Sequence, residues 1–302
     1  AVIMLSDALY LFEDVAERVV AVGVTDQGLG DFLPVIDPEA ETKSDLGKSA
    51  GPEEILARKP DLVLLKSYLR DTLGKPIEIS GVPVIYLDLE TPEQFNRDLR
   101  ILGTVLKQEV RAEELISMFD RRASRLRELT AGAEKRRVAL FQFSAREQSY
   151  SFSVPPEGWI QGTMVELAGG EPVWYGTALS PGWKQVQFEQ IALWNPEAII
   201  FVSFRNSSTE ALDLIQSDPL WQSLDAVQNG EVYAMPADYY SWGQPDPRWI
   251  LGAEWMAYAL HPALFTSSFS DSIPLFFSDF YGISEERYRR EILPRIEGDL
   301  FD

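Results

Sequence analysis

A stretch of twelve residues occurs twice in this chain, 136 residues apart. Glu53-Glu54-Ile55-Leu56-Ala57-Arg58-Lys59-Pro60-Asp61-Leu62-Val63-Leu64 parallels Glu189-Gln190-Ile191-Ala192-Leu193-Trp194-Asn195-Pro196-Glu197-Ala198-Ile199-Ile200. Each copy reads glutamate, short helix, proline, acidic residue, apolar strand. Proline cannot continue a helix, so the helix stops and the strand follows at once. A further strand follows each copy after a small turn, Ser80-Gly81-Val82 in one and Asn229-Gly230-Glu231 in the other. A duplicated helix–strand unit of this kind predicts two similar lobes.

The remaining pattern agrees with that. Strands are expected at residues 18–24, 61–65, 82–87, 137–143, Ala198–Val202 and 231–235, and helices at 52–58 and Pro92–Leu106. Most of the strands are nearly continuous apolar runs, as parallel strands covered on both faces are. Residues 109–131 contain neither proline nor glycine. Leu115, Met118, Phe119, Arg122, Leu126 and Leu129 recur there at helical spacing, with Arg122 alone breaking the apolar stripe. At ~1.5 Å per residue this helix would run roughly 35 Å. The fold class expected is α/β: two Rossmann-like lobes with central, mainly parallel sheets, joined by one long rigid helix. The N-terminal lobe is placed at 1–108, the linking helix at 109–134, and the C-terminal lobe with its C-terminal helices at 135–302.

Composition narrows the function classes. Asp and Glu number 47 against 27 Lys and Arg, a net charge of −20 in 302 residues. A surface that acidic repels phosphate backbones, so a nucleic-acid partner is not expected. The chain has no cysteine and one histidine, His261. Cysteine nucleophiles, thiolate zinc and iron–sulfur clusters are excluded, and neither a Ser-His-Asp triad nor a His-rich metal site has much to draw on. His261 precedes Pro262 at a helix end, a structural position. Gly28-Leu29-Gly30-Asp31-Phe32-Leu33 starts like a dinucleotide fingerprint but lacks the third small residue. A protein-held metal site is therefore not expected. No apolar run reaches the ~18–20 residues of a membrane span.

Several segments together resemble the substrate-binding proteins of ABC importers, in the class whose lobes are joined by one helix. Residues 18–23, the run from Ser49 to Val63, its counterpart from Val186 to Ile199, and Pro219-Leu220-Trp221-Gln222-Ser223-Leu224 followed by Asn229-Gly230-Glu231-Val232-Tyr233 carry the resemblance. It extends over almost the whole chain. The class carries ferric siderophores, haem, vitamin B12 and, in some members, molybdate or tungstate. What the resemblance implies is a monomeric, extracytoplasmic carrier and not an enzyme, with no catalytic residue and no resident cofactor, periplasmic or lipid-anchored on the outer face of the cytoplasmic membrane. The chain begins at Ala1, and a signal segment is expected to have been removed. The carrier would deliver a small-molecule metal chelate, a ferric siderophore or similar iron complex, to a membrane permease. Cobalamin, haem and an oxyanion are the alternative cargoes, and a chelatase-like enzyme on the same two-lobe fold is the alternative class. In the family, one glutamate on each lobe pairs with permease arginines, and the matching positions are Glu53 and Glu189. Both open short helices, where the positive end of the dipole favours a carboxylate.

Ligands of open α/β sheets sit beyond the carboxyl ends of the strands. Lys66, Ser67, Tyr68 and Arg70 follow one expected strand. Ser144, Arg146 and Tyr150 follow another, Ser203 and Arg205 a third, and Asp238, Tyr239, Tyr240, Ser241 and Trp242 a fourth. Trp183 lies on the loop before the Glu189 helix, with Trp159 and Trp174 further back. Cations at several strand exits of an acidic chain suit an anionic ligand, and aromatic walls suit a bulky organic one. The expected ligand-binding set is Tyr68, Arg70, Arg146, Trp183, Arg205, Tyr239, Tyr240 and Trp242. In cobalamin-binding members an arginine stands where this chain has Trp242.

Overall fold

A computed structural model describes residues 3–23, 29–43, 46–47, 49–146, 149–177 and 180–301. The chain forms two units, and one of the boundaries between them falls inside a helix, Glu109–Thr130, between Met118 and Phe119. Unit 1 comprises Ala1–Asp26, Asp31–Met118 and the short stretch Pro245–Pro247. Unit 2 comprises Gln27–Gly30, Phe119–Gln244 and Arg248–Asp302.

In unit 1, β1 (Val63–Leu65) pairs in parallel with β2 (Val84–Tyr86), Val63 opposite Val84. Leu46, Ile55, Val63, Leu65 and Ile77 form the buried cluster around this pair. The helix Pro92–Leu106 begins where the Thr91 side chain accepts the Gln94 backbone N–H at 3.1 Å, and proline occupies its first position. It buries Phe95, Leu99, Leu102 and Leu106, one face at helical spacing. The strand expected at 18–24 is not formed among its described residues. They make a single parallel bridge, Gly23 to Leu46, and the Val22 N–H donates to the Lys43 carbonyl at 2.8 Å; Val24 lies outside the described residues. A β-branched run becomes a strand only where a partner backbone accompanies it, and here the accompaniment is one residue long.

Unit 2 contains β3 (Arg136–Arg146), β4 (Ser149–Val154), β5 (Gly170–Pro172), β6 (Lys184–Val186), β7 (Ala198–Val202) and β8 (Val232–Ala234). The order is β6-β4-β3-β7-β8, with β5 also paired to β3. β3, β5, β7 and β8 run parallel, while β4 is antiparallel to both β3 and β6. All five residues of β7 are buried, the consequence of a central parallel strand covered on both faces.

The twelve-residue repeat is also a conformational repeat. The helix Pro52–Leu56 leads to β1 and the helix Phe188–Trp194 leads to β7. Ile55 and Ile191 hold equivalent places and both are buried. Lys59 and Asn195, also equivalent, both adopt left-handed backbone, φ 53° and 39°, immediately before the proline. A left-handed residue ends a helix by turning the chain, and the proline prevents its resumption.

The helix Glu109–Thr130 buries Ala112, Leu115, Ile116, Phe119, Ala123 and Leu126. Its one charged interruption is satisfied within unit 2: Arg122 contacts Glu254 at 3.0 Å and Asp279 at 3.1 Å, with its guanidinium 5.6 Å from the Phe280 ring centre. Burial pushes the Glu254 carboxyl above the usual carboxylate range, and the positive charge of Arg122 opposes that push.

Candidate functional site

In unit 1 the strand exits are partly occupied by the protein's own ion pairs. Lys66 follows β1 directly and is buried. Its ammonium donates to the Asp88 carbonyl and to Glu90 Oε1, the latter at 2.7 Å. Ser67 donates to the Asp88 carboxylate twice, from its backbone N–H at 3.0 Å and its hydroxyl at 2.7 Å. Burial raises the Glu90 pKa and Lys66 partly offsets the rise. Tyr68, by contrast, is 71% exposed, and the exposed Arg70 lays its guanidinium 4.4 Å from the Tyr86 ring centre. Of Lys66, Ser67, Tyr68 and Arg70, the structure therefore leaves an aromatic and an arginine exposed and turns the lysine in.

The two glutamates of the repeat lie in the first turns of their helices, and both are exposed.

In unit 2 the segment after β8 is folded inward. Tyr240 and Trp242 are 2% and 0% exposed, so neither offers a ring face at the surface, contrary to the sequence expectation. The reason is Asp238. Its carboxylate, itself buried, accepts the Arg248 Nε–H at 2.8 Å, the Trp242 indole N–H at 3.0 Å and the backbone N–H of Tyr239 and Tyr240. The Arg248 guanidinium lies between rings, with its central carbon 5.1 Å from the Tyr240 ring centre and 5.5 Å from that of Phe277. A buried carboxylate with an arginine and several donors forms a closed polar network, which draws the aromatic residues around it into the core. Tyr239 is half-buried. Its hydroxyl donates to the Glu291 carbonyl at 2.9 Å and its ring lies 5.5 Å from the Arg295 guanidinium.

Trp183 behaves differently. It meets Trp159 edge-on, with ring centres 6.2 Å apart, and Phe204 in the same manner at 5.7 Å. All three residues are half-buried. Trp159 immediately precedes the helix Ile160–Leu167, Trp183 immediately precedes β6, and Phe204 stands two residues past the end of β7. Phe204 is absent from the sequence-derived set although its neighbours Ser203 and Arg205 were both singled out. Arg205 is exposed. Arg146 ends β3, and its side chain lies outside the described residues. Among the described residues no group of three or more His, Cys, Asp or Glu is arranged to hold a metal ion.

Residues 9–239 match the family model described as periplasmic binding protein, and the chain belongs to that family. The molybdate-binding protein MolA of Haemophilus influenzae is 28% identical over 78% of this chain and 72% of its own. A vitamin B12-binding protein of Pectobacterium carotovorum is 27% identical over 75% and 80%, and the Fe(3+) dicitrate-binding protein FecB of Escherichia coli 24% identical over 80% and 79%. The solved structure of MolA bound to molybdate shares the fold, with a TM-score of 0.75 at 23% identity over 94% of this chain and 92% of that one. By family the chain is thus a periplasmic binding protein, and its α/β fold is that of the solved two-lobe members.

Proposed function

We propose that this protein binds a metal chelate, a ferric siderophore or similar iron complex, and delivers it as a monomer to an ABC permease, from the periplasm or from a lipid anchor on the outer face of the cytoplasmic membrane. The observation that carries the reading is the presence of aromatic and cationic residues at a strand exit in each unit: Tyr68 and Arg70, both exposed, after β1, and the half-buried Phe204 followed by the exposed Arg205 after β7. Aromatic faces and guanidinium groups together suit an anionic organic complex. The iron-chelate relative FecB supports the same cargo class. Ligand contacts come from Tyr68, Arg70, Arg146, Trp183, Arg205 and Tyr239. Glu53 and Glu189 pair with permease arginines.

A second reading, an oxyanion cargo, is favoured by the likeness to MolA. Calorimetric titration with four probes separates the two: a ferric siderophore, cyanocobalamin, haem and molybdate. Saturable one-to-one binding of the ferric complex, with molybdate silent, is the expected result. Binding of molybdate alone overturns the chelate reading. Reversing the charge of Glu53 and Glu189 together should abolish uptake with affinity for the ligand unchanged; a collapse of affinity would instead assign these glutamates to the binding site.

A further inference from the structure

We propose that Trp159, Trp183 and Phe204 form the subsite that grips the aromatic part of the cargo, and that the cargo is an iron complex of catecholate type. This inference rests on the chelate-carrier reading above and narrows it. The three rings come from three separate chain segments: the start of the helix Ile160–Leu167, the residue before β6 and the exit of β7. They meet edge to face at 6.2 and 5.7 Å, with Trp183 in the middle. Such geometry is favourable between rings and holds each one in a fixed orientation.

The contrast with the aromatic core of the same unit is what points to a ligand. Phe141, Phe152, Phe201 and Trp221 also contact one another edge-on or tilted, and every one of them is at most 6% exposed. There the cluster is closed by further protein. Trp159, Trp183 and Phe204 are a cluster of similar construction left half-open. Apolar groups gathered in one place and left partly open mark binding sites; in the chain Trp183 is followed by Lys184, whose ammonium donates to the Thr177 carbonyl at 2.9 Å, and Phe204 stands between the buried Ser203 and the exposed Arg205. Two of these are cations in a chain of net charge −20. A bare oxyanion gains nothing from three rings, and ferric citrate has no aromatic surface to offer them. A ferric catecholate has both flat aromatic faces and net negative charge, and uses both parts of the site.

The experiment titrates the full chain, by intrinsic tryptophan fluorescence and calorimetry, with ferric tris-catecholate, ferric citrate and molybdate in parallel. The expected result is that ferric catecholate binds more tightly than the other two and quenches tryptophan emission, and that Trp183→Ala and Phe204→Ala each weaken it by about tenfold or more. Trp183→Phe and Phe204→Leu, which keep most of the volume, should show smaller losses in the same order. They serve as the test where an alanine variant does not fold, as judged by circular dichroism. Catecholate affinity equal to wild type in folded variants at both positions overturns the subsite. Tight binding of citrate or molybdate with no catecholate binding also overturns this inference: for citrate the chelate-carrier reading stands, and for molybdate it falls as well.

Discussion

The chain leaving β8 and the chain around β6 and β7 carry similar side chains to the same sheet, and the structure treats them in opposite ways. After β8 come Asp238, two tyrosines and a tryptophan; around the β6 and β7 ends come Trp183, Phe204 and Arg205, with Trp159 meeting Trp183 from the start of the helix Ile160–Leu167. The first group has closed on itself, with Asp238 and Arg248 both fully buried and Tyr240 and Trp242 packed beside them. The second is half-open, and its arginine is exposed. An aromatic residue at a strand exit is thus not enough to define a binding wall. What decides is whether the segment also carries a buried carboxylate whose partner arginine arrives from elsewhere in the chain. Here that arginine is ten residues further on, at the start of the helix Trp249–Leu260.

The comparison makes its strongest claim about stability. Replacing Arg248 with methionine should destabilise the protein by about 3–5 kcal/mol, because the Asp238 carboxylate is then buried without its counter-charge. Urea unfolding followed by circular dichroism measures it. A loss below about 1 kcal/mol would mean that the network is not what closes the β8 loop. Next in size is Trp242→Ala. Its side chain is fully buried beside Phe269, ring centres 6.0 Å apart, and its indole N–H serves Asp238. The expected cost is about 3 kcal/mol from the cavity and the lost hydrogen bond.

Trp183→Ala is the matched test on the open side. A half-buried ring with two edge contacts should cost about 1 kcal/mol on removal, well below Trp242. If the two tryptophan variants unfold at the same denaturant concentration, the distinction between a closed and an open cluster fails.

Parts of this were readable from sequence, and the reasons the rest was not are physical. The helix Pro92–Leu106 and strand Ala198–Val202 were expected with the bounds they have, because each is specified locally: a threonine and proline open the helix, and five consecutive apolar residues fit a strand buried on both faces. The repeat was legible too, since proline and the residue before it act within the same few bonds. Strand β4 was passed over although Ser149–Val154 alternates polar and apolar in the manner of a strand with one covered face. Residues 18–23 have strand composition but only a one-residue partner. The inward turn of Tyr240 and Trp242 depends on the pairing of Asp238 with Arg248 ten residues on, across an irregular loop, which no helix or strand periodicity reports. Lys66 was legible as a cation after a strand, but not as one already neutralised by Glu90 from the exit of β2.

The smallest effect tests the closed network through its electrostatics. Tyr288 is buried and stacked on Phe277, ring centres 5.9 Å apart. Burial, and then the negative charge of Asp238, push its phenol up to about 12, with Arg289 opposing them. In the unfolded chain a tyrosine ionises near ~10. Below that pH both states are neutral there and the contribution of Tyr288 to stability is complete. As the pH rises from about 10 to about 12, the unfolded state loses its proton first, and stability falls. Tyr10, Tyr175 and Tyr233 are pushed up by burial as well and share in the alkaline loss. Tyr288→Phe removes one share of it. The variant should therefore lose less stability than wild type over that interval, by under about 1 kcal/mol once solvent screening is allowed for. Denaturant midpoints measured at pH 9, 10, 11 and 12 give the two profiles. Parallel profiles would show that Tyr288 ionises alike in both states, and that the Asp238 charge does not reach the ring stacked on Phe277. Adding Asp238→Asn separates the causes: with the charge removed and burial kept, part of the difference between the two profiles should disappear and part should remain.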